Sequence, residues 1–209
     1  MRDWQHGART SSPRVGRSYA CVVSTPGNMR VRSLAVDDVD IYLNLACAVD
    51  AGSGVDGEGH SHAYSASEPF DIEAFRDREL TRWSTEIDEI GWRRAWGLFD
   101  DDELVGYLQL VGGALRSELH RVDMGMGIAR SHRRRGGGDL LIHAAIAWAR
   151  TQPSIAWIDL GVFSDNPGAH ALYARHGFQV VGRTPDRFRV DGQSLDDTSM
   201  TLNVAGVDD

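Results

Sequence analysis

The sequence predicts an α/β fold of the α+β type, a mixed, mostly antiparallel sheet with helices on both faces. Three observations predict it. From Met124 to Trp148 an extended apolar segment, an arginine–glycine loop and a helical pattern follow one another. From Ile155 to Val162 a second apolar run returns after that single helix, which makes the two strands parallel with a right-handed connection. Ahead of both, the apolar runs Arg94–Asp100 and Leu104–Val111 flank an acidic turn at Asp101–Glu103, the pattern of an antiparallel hairpin.

Residues 1–28 are polar, with Pro13, Pro26 and Gly27, and read as a disordered arm ahead of one domain spanning 29–205, with 206–209 as a tail. Met29–Leu34 alternates and predicts the first strand. Asp37 and Asp38 then place negative charge at a helix start, before an apolar face of Val39, Tyr42, Leu43 and Ala46. Residues 50–67 break all periodicity and read as a mobile flap. That flap contains Asp56, Glu58, His60 and His62; its His-x-His could present two imidazoles to a metal, and no metal is expected. Glu68-Pro69-Phe70-Asp71 starts a second helix, with Ile72, Phe75, Leu80 and Trp83 at helical spacing through Ile90. Trp83, Trp92 and Trp96 are expected in the core rather than as a ligand box.

Gly112–Glu118 reads as a turn and Leu119–Ile128 as the strand that enters the arginine–glycine loop. Gly125 and Gly127 weaken that strand, so either a bulge or the close approach of another group is expected there. The helix after the loop carries Leu141, Ala144, Ala145 and Trp148 on one face. Asn166 and Pro167 suit the N-cap and first position of a short helix, with Arg175 and His176 in its last turn and Gly177 just beyond. Phe178–Gly182 and Thr198–Val204 read as a terminal strand pair around a loop at Arg187–Asp197.

Arg133, Arg134 and Arg135 followed by Gly136, Gly137 and Gly138 form an anion site. The first amides of a helix lack intrahelical partners and carry partial positive charge, and glycine lets a phosphate approach them. No lysine follows the glycines, which excludes a P-loop, and Leu141 breaks the dinucleotide pattern. Arg133, Gly136 and Gly138 do fit Arg-x-x-Gly-x-Gly. Further on, Asn166, Ala169, Leu172, Tyr173, Gly177 and Phe178 fit Asn-x-x-Ala-x-x-Leu-Tyr-x-x-x-Gly-Phe. In this order the two motifs resemble the Gcn5-related N-acetyltransferases; the resemblance runs over about Met29–Val204 and is specific over Gly125–Gly182.

That resemblance implies the acyl-CoA N-acyltransferase fold, in which the two parallel strands splay apart and the pantetheine arm of acetyl-CoA, here a co-substrate, lies in the gap. It implies contacts to Met126, Gly127, Ile128, Ala129 and Arg130 on the strand, to Arg133–Asp139 around the pyrophosphate, and to Asn166 and Tyr173. It also implies direct attack of a primary amine on the acetyl thioester, with Tyr173 as the acid for the departing thiolate. A glutamate five residues before the asparagine, as in ribosomal alanine N-acetyltransferases, is Gly161 here, so the base is sought at Glu118, His120 and Asp123. A non-catalytic acyl-CoA-binding module, a nucleotide-binding regulator and a protein acetyltransferase are the competing readings; a small-molecule amine is favoured as acceptor.

A formal net charge of −8 argues against a general nucleic-acid partner despite the local arginines. Cys21 and Cys47 make no disulfide framework, and no apolar run approaches the roughly 20 residues of a membrane span. A cytoplasmic location is the default expectation, and homodimerisation is common among proteins of this resemblance.

Overall fold

The computed structural model describes residues 23–24, 28–55, 59–65 and 71–206. Its strands are β1 (Val23–Ser24), β2 (Met29–Ser33), β3 (Arg93–Asp100), β4 (Glu103–Gly112), β5 (Arg121–Ile128), β6 (Trp157–Phe163), β7 (Gln179–Val190) and β8 (Gln193–Asn203). Its helices are α1 (Val39–Ala51), α2 (Ile72–Ser84), α3 (Gly137–Arg150) and α4 (Pro167–Arg175). The strands form one sheet in the order β1-β2-β3-β4-β5-β6-β8-β7. Every neighbouring pair is antiparallel except β5 and β6.

Alternation sorts the side chains onto two faces. On one, Leu98, Leu108, Leu110 and Val122 pack with Leu141, Ile142 and Ala145 of α3, all with essentially no exposed surface. Burial of each large side chain stabilises the fold by about 1.5–3 kcal/mol. On the other, Ala95 and Tyr107 meet Val39, Tyr42, Leu43 and Val49 of α1 and Trp83 of α2. Trp83, Trp92 and Trp96 are core residues, divided between the faces. Trp92 and Trp96 lie edge-on to Trp148 at 5.9 and 5.3 Å, and Trp83 lies against Tyr42 at 5.2 Å.

Local chemistry accounts for the element ends. Asp38 accepts the Ala35 amide at 2.9 Å and a bidentate pair from Arg32, closing the entry to α1. Asp71 caps α2 by accepting the Ala74 amide at 3.0 Å. Helix α2 stops at Ser84 rather than running to Ile90. Residues 85–92 turn back toward β3, and Arg94 clasps that turn through the Trp83 and Thr85 carbonyls. Of the expected N-terminal arm, Val23 and Ser24 pair with β2, and residues 1–22 and 25–27 lie outside the described residues.

Two further expectations are corrected. The segment read as a loop at Arg187–Asp197 is the far half of a long β7–β8 ribbon, closed by Asp191 and Gly192 with φ of 48° and 84°. Positive φ at both central positions is the geometry of the tight hairpin turn that matches strand twist, and Asp-Gly is its sequence signal. Strand β5 begins at Arg121 rather than Leu119, and it carries no bulge against β4. The bulge lies in β4, where Leu98 faces Gly106 and Phe99 faces Leu104, leaving Val105 extra. Gly127 is explained by close approach instead: a Cβ there would fall 2.8 Å from the Tyr107 ring and 2.9 Å from Val49.

Candidate active site

β5 and β6 pair only over Arg121–Asp123 and Trp157–Asp159. Beyond that register β5 stays with β4 up to Ile128, and β6 stays with β8 up to Phe163. Each strand follows its own antiparallel neighbour, and the two halves of the sheet diverge. Arg121 staples the last paired register, donating to Asp159 at 2.7 and 2.5 Å and to Thr201 at 3.0 Å. The gap opens into a cavity of about 1000 Å³ that runs from the arginine–glycine loop to α4.

The loop meets this cavity at the start of α3. Arg134 and Gly136 have φ of 62° and 85°, the left-handed region, so the chain reverses tightly and turns into α3 at Gly137. The Leu140 amide is the first of the helix to be satisfied from within, by the Gly136 carbonyl at 3.3 Å, so the amides ahead of it lie at the cavity end. Of the residues nominated from sequence, Met126, Gly127, Ile128, Arg130, Arg133 and Arg134 line the cavity, as do Gly136, Gly138, Asp139, Asn166 and Tyr173. Ala129, Arg135 and Gly137 do not. Ala129 donates to the bulged Val105 carbonyl at 2.8 Å, Arg135 turns to Asp100 at 3.4 Å, and Gly137 packs on Leu98. A positive helix end beside three arginines in an open cavity suits a pyrophosphate.

α4 forms the opposite wall. Asn166 caps it by accepting the Ala169 amide at 3.1 Å, and Gly177 leaves it with φ of 87°. Asp139 ties the two helices together, accepting from Arg175 at 2.9 Å and His176 at 3.0 Å; burial works against its charge, but these donors hold the carboxyl below its ordinary range. Tyr173 is buried against Phe178, 5.9 Å between rings, and burial pushes its phenol up to about 12.

The three residues nominated as bases are not brought to the cavity. Glu118 is used locally, accepting the Ala114 and Leu115 amides. His120 is exposed in the turn before β5, where its carbonyl accepts the Ala156 and Trp157 amides. Eight residues separate it from Ile128, about 26 Å at strand spacing. Asp123 stands at the last paired register, below the gap; burial, then the charges of Asp159 and Glu118, push its carboxyl up. The imidazole that does line the cavity is His60. Its Nδ1 lies 2.7 Å from Asp165, its amide donates to the same carboxylate, and its carbonyl accepts from Asn166 at 3.4 Å. His62 is held elsewhere, with Nε2 2.8 Å from the Asp50 carbonyl, so the His-x-His pair does not converge. Asp56 and Glu58 lie outside the described residues.

A model of the acetyltransferase (GNAT) family matches residues 61–178, more than half of the chain. The chain belongs to that family. It is an N-acetyltransferase by class, and its splayed sheet is the acyl-CoA N-acyltransferase fold. No curated protein sequence matches it significantly. Among solved structures, a putative acetyltransferase, yncA of Salmonella typhimurium with its cofactor acetyl-CoA, superposes with a TM-score of 0.71 at 16% identity, over 88% of this chain and 98% of that one. A GNAT-family acetyltransferase of Streptococcus pneumoniae gives 0.69 at 18%, over 85% and 99%. Mutant forms of the spermidine/spermine N-acetyltransferase SpeG of Vibrio cholerae give 0.64 at 20%, over 85% and 94%.

Within this acetyltransferase frame, His60 is what sequence reasoning missed. The residue was visible in the flap, but nothing in its neighbourhood along the chain pointed to Asp165, more than a hundred positions away. No helix among the described residues is long and apolar enough to cross a membrane.

Proposed function

We propose that the protein transfers the acetyl group of acetyl-CoA to a primary amine by direct attack in a ternary complex. The observation that carries this reading is the single cavity that joins the arginine–glycine loop, the unpaired edges of β5 and β6, and Tyr173. In it, the α3 amides with Arg130, Arg133 and Arg134 would hold the pyrophosphate. Alternate backbone groups of Met124–Ile128, without a strand partner on the β6 side, would hydrogen-bond the pantetheine arm. Acetyl-CoA supplies an activated acyl thioester. Tyr173 keeps its proton at neutral pH and donates it to the leaving sulfur. We assign the base to His60 in place of Glu118, His120 and Asp123: Asp165 holds its Nδ1, and its Nε2, packed against Gly54 of the flap, takes the proton when the flap shifts to admit the amine. A single domain over 29–205 is sufficient to build the whole site.

Calorimetric titration with acetyl-CoA tests the reading, with ATP and dephosphorylated pantetheine as controls. Acetyl-CoA is expected to bind, and Arg134→Glu to weaken it by roughly tenfold or more through lost charge complementarity. Folded protein that binds no acyl-CoA would remove the reading.

A further inference from the structure

A second cavity of about 560 Å³ opens off the first and shares Ser61, Gly161 and Phe163 with it. It lies on the far side of the gap from the arginine–glycine loop, where none of the loop's arginines reaches it. Its walls are aromatic: Tyr64 from the flap, Phe163 from β6 and Phe188 from the β7–β8 ribbon, with the two phenylalanines edge-to-face at 5.5 Å. It has two charged linings, Asp197 and Arg187.

Asp197 is placed at the junction of the two cavities. It pairs across the sheet with Phe163, at the end of β6. A methyl group built on Gly161 would come within 2.7 Å of Asp197 Oδ1, so the carboxylate lies directly over the bare backbone of β6 beside the gap. It is half-buried and has no side-chain hydrogen bond or ion pair among the described residues. The neighbouring carboxylate behaves otherwise: Asp196 is taken up by Arg183 and the Asp186 amide. Its oxygens are open to the cavity rather than sealed in the fold, so a cation entering the cavity can pair with them directly. Arg187 extends over the Phe188 ring at 5.4 Å and brings positive charge to the same small cavity.

We propose that this cavity is the acceptor subsite, that Asp197 receives the acceptor's ammonium group, and that the acceptor is a primary amine on an aromatic or compact apolar body without a second cation. The inference rests on the acetyltransferase reading above. Asp197 anchors the nitrogen at the point where the gap delivers the thioester. The aromatic walls take the apolar body and also favour the ammonium through their ring faces. Arg187 repels a second positive charge, which disfavours a polyamine by a like-charge contact.

The test uses the full chain with saturating acetyl-CoA and two acceptors, 2-phenylethylamine and spermidine. The expected result is kcat/KM at least about tenfold higher for 2-phenylethylamine. Asp197→Asn should raise its KM at least about tenfold while leaving acetyl-CoA binding within about twofold, which also reports on folding. Phe188→Ala should raise the same KM, and Arg187→Ala should improve spermidine. Preference for spermidine, or an amine KM indifferent to both Asp197→Asn and Phe188→Ala, overturns the proposal. Bound acetyl-CoA with acetylation of neither amine overturns it as well and leaves the coenzyme reading standing. Absence of acetyl-CoA binding by the wild type removes the underlying reading instead.

Discussion

Burial raises the Tyr173 phenol to about 12, whereas an exposed tyrosine ionises near 10. An acid whose folded pKa is raised stays protonated through the whole working range. The alkaline limb of the kcat profile should therefore lie beyond pH 10, and an earlier limb in a Tyr173-dependent reaction would show that the phenol is not buried as described. Tyr173→Phe removes the proton without removing the ring. It should lower kcat by roughly 10²–10⁴-fold, the usual contribution of a positioned acid, with acetyl-CoA binding by calorimetry unchanged. His60→Gln should lower kcat with acetyl-CoA binding by calorimetry unchanged, and Asp165→Asn should lower kcat by less, because Asp165 acts by orienting the ring.

The β7–β8 ribbon shows how an element is stabilised at its tip. Asp186 accepts from Arg189 first and from Ser194 at 2.6 Å, and these donors hold its carboxyl at about 2. Its folded pKa lies below the unfolded value of about 3.9, so its contribution is fully present above that pH. It is lost as pH falls through about 2. Because the pair is exposed, salt should weaken it. Hydrogen exchange of ribbon amides should reveal this, with protection near Arg189 and Ser194 falling on acidification in wild type and already low in Asp186→Asn. At the turn, Gly192→Val would force a branched side chain into φ of 84°. That should cost roughly 1–3 kcal/mol in urea denaturation. A neutral effect there would mean that the turn is not the one described. The same ribbon supplies Phe188 and Arg187 to the cavity proposed for the acceptor, so under that proposal loosening the tip should also raise the amine KM.

At the scale of the whole molecule, α2 is fastened to the sheet by a buried ion pair. Arg93 on β3 donates to Glu79 at 2.5 Å, and both side chains are buried, with Glu79 Oε2 and Arg93 Nε lacking partners. Removing one member strands the other charge out of water, so Glu79→Ala should destabilise the protein by about 3–5 kcal/mol. The double variant Glu79→Leu with Arg93→Met should recover most of that loss, since a half-satisfied pair gains little over apolar packing. Chemical denaturation midpoints of the three proteins decide it, and a double variant as weak as the single one would contradict it.

The arginine–glycine loop, its neighbouring strand and helix, and the Asn166–Phe178 segment were all legible in the sequence, because each depends on contacts within a few residues: left-handed glycine, an N-cap, a Pro at N1, an apolar stripe. The Asp-Gly turn was equally local and was written there, though the strands around it were read as shorter than they are. What lay beyond the sequence was pairing at long range. That β5 and β6 separate after Asp123 follows from each strand's commitment to a different partner, and nothing along either strand records it. That His60 meets Asp165, that Asp197 covers Gly161, and that Glu118 and His120 face away depends on strand register and on how a flap docks against β6. Local chemistry therefore determined the family and the arginine–glycine loop; only the tertiary structure decided which titratable groups reach the cavity, because a side chain's distance through space is set by the packed sheet rather than by its place in the chain.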